Sequence, residues 1–378
     1  MKLISATVYA LRLPFVASFA HSAKARAFCD SIVVKVRDES GIEGFGEGAP
    51  REYVTGETQA TAAAHIAETL WPLVARKPLA PCSGLPDGLP EFVPDASIAH
   101  AVSDGASRCA LELAILDLAL RLKKLPLAHL LPPRCRTVVY SGVITAGSLE
   151  GVARYARQMK LIGLRHVKVK VGAGDDVERV RIVRETMGPE VSLRVDANAA
   201  WGFDQAVSVI RALKTFGIVS VEQPLPRSML GEMAMLRRAV DVPIMADESL
   251  VTLCDAEQLI EAKAADFFNI RVSKCGGLAN SLKVAKCAQK AGVRLQVGSQ
   301  VGETAILSAA GRHLAAALDG VEFVEGSYGT MLLAEDVTSD PVRFGYRGEA
   351  SVLGGLGLGI TVLEDRLRKY AATIVELN

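Results

Sequence analysis

Five charged residues, spaced almost evenly through the middle of the chain, set the strongest limit on its fold. Lys170, Asp196, Glu222, Asp247 and Lys274 are separated by 26, 26, 25 and 27 residues, and each closes a short apolar run: HVKVK, LRVD, SVE, IMAD and IRVSK. A strand, a helix and two loops occupy about 25–30 residues. The spacing is therefore that of a repeated βα unit with one reactive group per repeat. Short apolar strands are predicted near 138–144, 166–170, 192–195, 219–222, 243–246, 267–271, 293–297 and 321–325, with amphipathic helices between them. That alternation predicts a parallel barrel. A doubly wound sheet would need a Gly-rich phosphate turn after its first strand, and SGVITAGSLEG is a poor match to GxGxxG.

With 378 residues the chain has room for about two domains. Residues 1–130 read as an α+β capping domain: three strands in the first 60 residues, then helices, including the almost wholly apolar ASRCALELAILDLALRLKKL. Residues 131–330 read as a modified TIM barrel, (β/α)7β. Residues 331–378 read as loops, short strands and a closing helix over VLEDRLRKYAATIVE that pack back on the cap. The stretch 77–94, rich in Pro and Gly, is predicted as a loop.

A net charge of +1 gives no reason to expect nucleic acid or an anionic membrane as partner. No apolar run approaches the roughly 20 residues of a membrane span. MKLISATVYALRLPF alternates like a strand and lacks a small-residue cleavage site, so no signal peptide is read. Seven scattered cysteines without a CxxC pair argue against a disulfide framework, and a cytoplasmic location is expected. Cys275, beside Lys274, is read as a packing residue. A homo-oligomer is expected.

Active sites of such barrels form where the strands end. Asp196, Glu222 and Asp247 close the third, fourth and fifth strands, so three carboxylates converge there and repel unless a cation joins them. Oxygen ligands without His or Cys favour Mg²⁺, with Mn²⁺ as the alternative. Lys168 and Lys170 are two apart on one strand and face the same side. Their mutual repulsion is expected to depress both pKa values and make Lys170 a competent base. Lys274 is expected at the end of the sixth strand, across the barrel. The combined logic is removal of an α-proton from a carboxylate substrate, with cations stabilising the enediolate.

These motifs resemble the enolase superfamily, and within it the muconate lactonizing enzyme subgroup. The resemblance rests on KVK at 168–170, DAN at 196–198, EQP at 222–224, DES at 247–249, VSKCGG at 272–277, GFGEGAP at 44–50 and the closing GLGLG. It implies Asp196, Glu222 and Asp247 as Mg²⁺ ligands, Lys170 and Lys274 as an acid/base pair, Lys168 at the substrate carboxylate, and Asn198 and Glu248 behind the metal ligands. Enolase-type sites pair a Lys or His base with Mg²⁺ to stabilise an enediolate. The mandelate racemase subgroup is a weaker match, because VRLQVGSQ carries no histidine.

The leading expectation is a racemase or epimerase of an N-acyl amino acid or dipeptide-like substrate. A muconate-type cycloisomerase or an o-succinylbenzoate synthase-like dehydratase is the alternative. Outside the class stand a Schiff-base aldolase using Lys274 and a non-catalytic barrel. Candidate substrate contacts are His21 and Arg26 in SFAHSAKARAF, Arg51 and Tyr53 in PREYVTGET, and Ser299, Glu303 and Glu325 beyond the last strands. Dipeptide epimerases of the family carry Asp-x-Asp at the eighth strand. This chain has Glu325-Gly326-Ser327, which weakens a plain dipeptide reading.

Overall fold

In the computed structural model, residues 1–20, 25–79, 89–93, 104–145 and 147–378 are described. The N-terminal unit holds β1 (Leu3–Leu11), β2 (Leu13–Ala20), β3 (Ala25–Cys29), β4 (Ile32–Asp38) and β5 (Glu43–Gly48). Short helices α1 (Glu52–Thr55), α2 (Gln59–His65) and α3 (Trp71–Val74) follow, then the long α4 (Gly105–Lys123). Five strands thus stand where three were expected. The segment read as the first cap loop is in part the β2–β3 hairpin, in which Phe19 pairs with Arg26.

GFGEGAP has a packing reason. Gly44, Gly46 and Gly48 alternate along β5 and so share one face. A Cβ on any of them would overlap the backbone of α4, at Ala114, Ala110 and Ala106 respectively. Those three positions form an i, i+4 ridge, so bare backbone on the strand lets the helix lie directly on the sheet. The helix is buried nearly all round, as its composition predicted.

The barrel strands are β6 (Thr137–Val139) with β7 (Gly142–Ile144), β8 (His166–Lys170), β9 (Ser192–Asp196), β10 (Ile218–Glu222), β11 (Ile244–Ala246), β12 (Phe267–Ile270), β13 (Arg294–Val297) and β14 (Val321–Val324). β7 to β14 form one parallel sheet in sequence order. A bridge between Tyr140 and Val324 closes it, with Ser141 N–H donating to Val324 O at 2.7 Å. The helices between strands are α5 (Leu149–Ile162), α6 (Asp176–Met187), α7 (Phe203–Lys214), α8 (Leu230–Ala239), α9 (Leu253–Glu261), α10 (Leu278–Lys290) and α11 (Ala305–Ala317). The first strand is split: β6 leaves the barrel wall to pair antiparallel with β15 (Glu349–Ser351), while β7 joins β8.

The closing segment also differs from expectation. Of the stretch expected as the closing helix only α12 (Glu364–Tyr370) is helical. β16 (Ala371–Leu377) then pairs antiparallel with β1, Val8 opposite Val375. The run TIV is β-branched and fits an open sheet edge better than a helix. The sheet of the N-terminal unit therefore runs β16-β1-β4-β5.

Inside the barrel the side chains stack in layers. Met245, Phe267 and Phe323 form an apolar plug. Above it lies Arg194, whose guanidinium covers the Phe323 ring at 4.0 Å. The register that pairs Lys168 with Arg194 and Lys170 with Asp196 then carries charge upward to the C-terminal mouth. Among the described residues six cysteines are free, Cys275 is buried, and no helix is long and apolar enough to cross a membrane.

Candidate active site

Asp196 and Glu222 lie side by side at the ends of β9 and β10, and Asp247 follows β11 directly. All three are at most 1% exposed. They share the cations that hold them. Lys168 Nζ lies 2.7 Å from Glu325, 3.0 Å from Glu222 and 3.3 Å from Asp196. Lys170 Nζ donates to Asp196 at 2.6 Å and to Asn198 Oδ1 at 2.9 Å. Arg271 reaches both Asp247 and Glu222. Asn269 and Gln296 add N–H donors to the two Glu222 oxygens, at 2.8 and 3.1 Å.

This geometry corrects the expectation for Lys168. Burial pushes its pKa down, but Glu222, Glu325 and Asp196 outweigh burial and hold it above the ordinary lysine value. In this arrangement it is an ammonium held between three carboxylates. Glu222 is held well below the ordinary carboxylate range, because Lys168, Arg271 and Lys170 overcome the cost of burial. Asp196 is raised, by burial and by Glu222. Glu248 is pushed up to about 8 by burial and by Asp247 and Asp196. Its Oε1 accepts from Asn198 Nδ2 at 3.1 Å, and its Oε2 is buried without a partner.

The loops at this mouth are bent into unusual backbone. Asn198, Ala199, Gln223 and Ser327 all take positive φ, between 34° and 61°. They follow the third, fourth and eighth strands, and non-glycine residues held there cost of order 1–3 kcal/mol each. The bend after β9 lets the Asn198 amide bridge Lys170 and Glu248.

Lys274 is not where the spacing put it. β12 ends at Ile270, and Lys274 sits on the turn beyond, 0% exposed. Its ammonium donates to Asp247 Oδ1 at 2.8 Å, Asp247 O at 2.7 Å and Asn269 O at 2.9 Å. The residue that leaves the sixth strand towards the mouth is Arg271. Sequence reading passed over it, although IRVSK places it directly after the strand. Arg194, also passed over, donates to Glu325 at 2.9 Å and to Ser141 Oγ at 3.0 Å from inside the barrel.

A cavity of about 220 Å³ opens above these groups. Lys168, Lys170, Asn198, Arg271 and Glu325 form its polar floor. Val16, Tyr155, Met159, Met331 and Leu332 make an apolar side, and Ser299, Gln300, Glu303 and Tyr53 complete the wall. Lys274 is not among the described lining residues. Arg51 is not either: it is buried, and its guanidinium donates to the backbone carbonyls of Pro50 at 2.6 Å and Val301 at 2.5 Å. It ties the cap to the loop after β13 rather than presenting charge to a ligand. Glu303 is pushed up to about 8 by burial and by Glu47, and its Oε1 accepts from Gln300 N–H at 2.5 Å. His21 lies outside the described residues, and of Arg26 only the backbone, in β3, is described.

Three carboxylates at successive strand ends, with no His or Cys among the described lining residues, fit a hard divalent cation in donor type and placement. Among the described residues no three His, Cys, Asp or Glu side chains are gathered round one point. Each carboxylate leans instead on an ammonium or guanidinium, and Arg271 shares Glu222 and Asp247 with any ion they take.

Two family models match the chain: the mandelate racemase / muconate lactonizing enzyme N-terminal domain over residues 3–132, and the enolase C-terminal domain-like model over 151–366. The chain belongs to the mandelate racemase / muconate lactonizing enzyme family of the enolase superfamily. It is 31% identical to the N-succinyl-L-Arg/Lys racemase of Bacillus cereus over 98% of each chain. The crystal structure of that racemase superposes with a TM-score of 0.88 at 27% identity, covering all of both chains. A dipeptide epimerase from Cytophaga hutchinsonii, solved with Mg and a dipeptide, gives 0.86 at 26% identity over all of both chains. The 2-chloromuconate cycloisomerase of Rhodococcus opacus gives 0.88 at 26%, covering 99% of this chain and 100% of that one. The protein is an enzyme of a group whose members here are isomerases.

Proposed function

We propose that the protein removes the α-proton of a carboxylate substrate with Lys170, passes through an enediolate and releases an isomer. The observation that carries this is the position of Lys170: it closes β8, lines the cavity, and is braced by Asp196 and Asn198. Lys168 serves as a fixed positive charge for the substrate carboxylate. Asp196, Glu222 and Asp247 would hold Mg²⁺, or Mn²⁺, with Asn198 and Glu248 behind them. Such an ion supplies Lewis-acid stabilisation of the charge that develops on the carboxylate.

Racemisation or epimerisation of an N-acylated amino acid is the outcome that the relatives support. The cavity suits an uncharged nitrogen. Glu325 gives one oxygen to Lys168 and the other to Arg194, so little charge remains to receive a substrate ammonium. Gln300 Nε2 is buried without a partner on the cavity wall, a donor suited to an acyl carbonyl. The apolar side accepts an aliphatic or aromatic side chain. A second reading, one-base cycloisomerisation or dehydration, is favoured by one observation: Lys170 faces the cavity and Lys274 does not.

The test is a panel of N-succinyl and N-acetyl amino acids, free dipeptides and cis,cis-muconate, incubated with the Mg²⁺-loaded enzyme in D₂O and followed by ¹H NMR. N-acyl compounds are expected to lose the α-proton signal and free dipeptides to keep it. Dipeptide exchange matching that of the N-acyl compounds would overturn the substrate assignment. No exchange or consumption of any compound would overturn the proposal.

A further inference from the structure

The enediolate reading leaves open which faces of the α-carbon are served, and the inference here rests on that reading. β8 and β12 are four strands apart in a closed eight-stranded barrel, so their ends stand opposite each other across the mouth. Lys170 is the last residue of β8, and Arg271 is the first after β12. Both line the cavity.

Lys274 is held away from it. An ammonium has three N–H donors, and all three are taken, two of them by the backbone carbonyls of Asp247 and Asn269. The turn that carries it is clamped as well. Cys275 N–H donates to Arg271 O and Gly277 N–H to Val272 O, both at 2.9 Å. Ser273 Oγ accepts from Ala49 N–H at 2.8 Å, and Gly105, the first residue of α4, lies directly on the Lys274 carbonyl. The N-terminal unit thus locks the turn that would have to move.

We infer that Arg271, and not Lys274, meets the substrate opposite Lys170, and that proton exchange at the α-carbon is confined to the face that Lys170 serves. A guanidinium does not give up its proton in proteins. What Arg271 offers is a planar fork for a carboxylate or for enediolate oxygens. In the step so defined, the C–H electron pair moves into the enediolate and the proton moves to Lys170 Nζ. The enediolate collapses by taking that proton back on the same face, or by forming the Cα–Cβ double bond while the Cβ–X bond breaks. In the second case X leaves with the electron pair, and Lys170 Nζ then gives up the proton to X or to solvent. Where X is the ring oxygen of a lactone, the same step opens the ring. The class is one-base chemistry, so the inference replaces racemisation with the second of the two outcomes above; N-acyl amino acids still serve as probes, because exchange on one face needs no inversion.

Two measurements test it on the full-length, Mg²⁺-loaded enzyme. In D₂O, each enantiomer of N-succinyl-phenylalanine and N-succinyl-arginine is followed by ¹H NMR. The wild type is expected to wash out the α-proton of one enantiomer only. Arg271→Lys is expected to raise exchange of the silent enantiomer by about 10²-fold, the lower range of general-base catalysis. Comparable exchange of both enantiomers by the wild type would overturn the inference. The second measurement needs no turnover. Acetic anhydride labelling read by mass spectrometry is expected to acetylate Lys170 in the native protein and Lys274 only after unfolding. Native labelling of Lys274 as fast as Lys170 would overturn it. Failure of every probe to exchange, with Lys274 protected, would count against the proposed reaction and leave the placement of Arg271 upheld.

Discussion

Lys170→Ala is expected to abolish α-proton exchange while leaving the fold intact. Lys170 lines the cavity at the end of β8, whereas Lys168 is tied to three carboxylates and Lys274 is turned into the turn beyond β12. Removing a positioned general base costs about 10²–10⁴-fold, or about 3–5 kcal/mol of barrier. Lys170 is only 6% exposed and bonds one carboxylate and one amide. Its loss frees Asp196 from one of two lysines, and Lys168 remains at 3.3 Å. The far-ultraviolet circular dichroism spectrum is therefore expected to be unchanged while deuterium wash-in falls to background. Exchange within tenfold of wild type in the alanine variant would exclude Lys170 as the base.

The second large effect is on stability. Glu325→Ala is expected to destabilise the protein by about 3–5 kcal/mol, the cost of removing one partner from a buried ion network. Glu325 bonds Lys168 at 2.7 Å and Arg194 at 2.9 Å. Without it, Arg194 keeps Ser141 Oγ and the Phe323 ring, and its fully buried charge has no anion beside it. Lys168 is less affected, because Glu222 and Asp196 remain. Asp241→Ala is the contrast: its pair with Lys214 is well exposed, and its loss is expected to leave the unfolding midpoint essentially unchanged. Urea unfolding read by the midpoint at unchanged slope separates the two. A Glu325→Ala loss below about 1 kcal/mol, outside the range for buried pairs, would mean that the barrel interior does not depend on this network.

Much of the barrel was legible because structure and chemistry share a period. The strands are short apolar runs, three of them end on a charged side chain, and HVKVK, SLRVD and IVSVE occupy their strands almost residue for residue. Other elements were hidden by the nature of their contacts. The β2–β3 hairpin is built from ASFA and ARAFC, weak strand formers paired with each other. AATIVEL follows an amphipathic helix without a break, and only the free edge of β1 makes it a strand. Arg51 looked like a ligand contact because charge in a loop suggests solvent. Its burial against two backbone carbonyls depends on a loop 250 residues away.

At the site, the three acids and the KVK pair were found from spacing. Arg271 is masked in the sequence by Lys274, a lysine at the interval of the preceding acids. The signal was present: β12 is the run FFNI, so the next residue is the one that enters the mouth. Counting from the end of the apolar run, rather than from the previous acid, selects Arg271.

The central claim is that Asp196, Glu222 and Asp247 form one cation site beside Lys170. Crystals soaked with Mn²⁺ and measured at a wavelength where manganese scatters anomalously test it most directly. The account predicts a single strong anomalous peak in contact with all three carboxylates, with Arg271 withdrawn from Asp247 and still facing the cavity. A peak elsewhere, or none while Arg271 remains on Asp247 and Glu222, would contradict it.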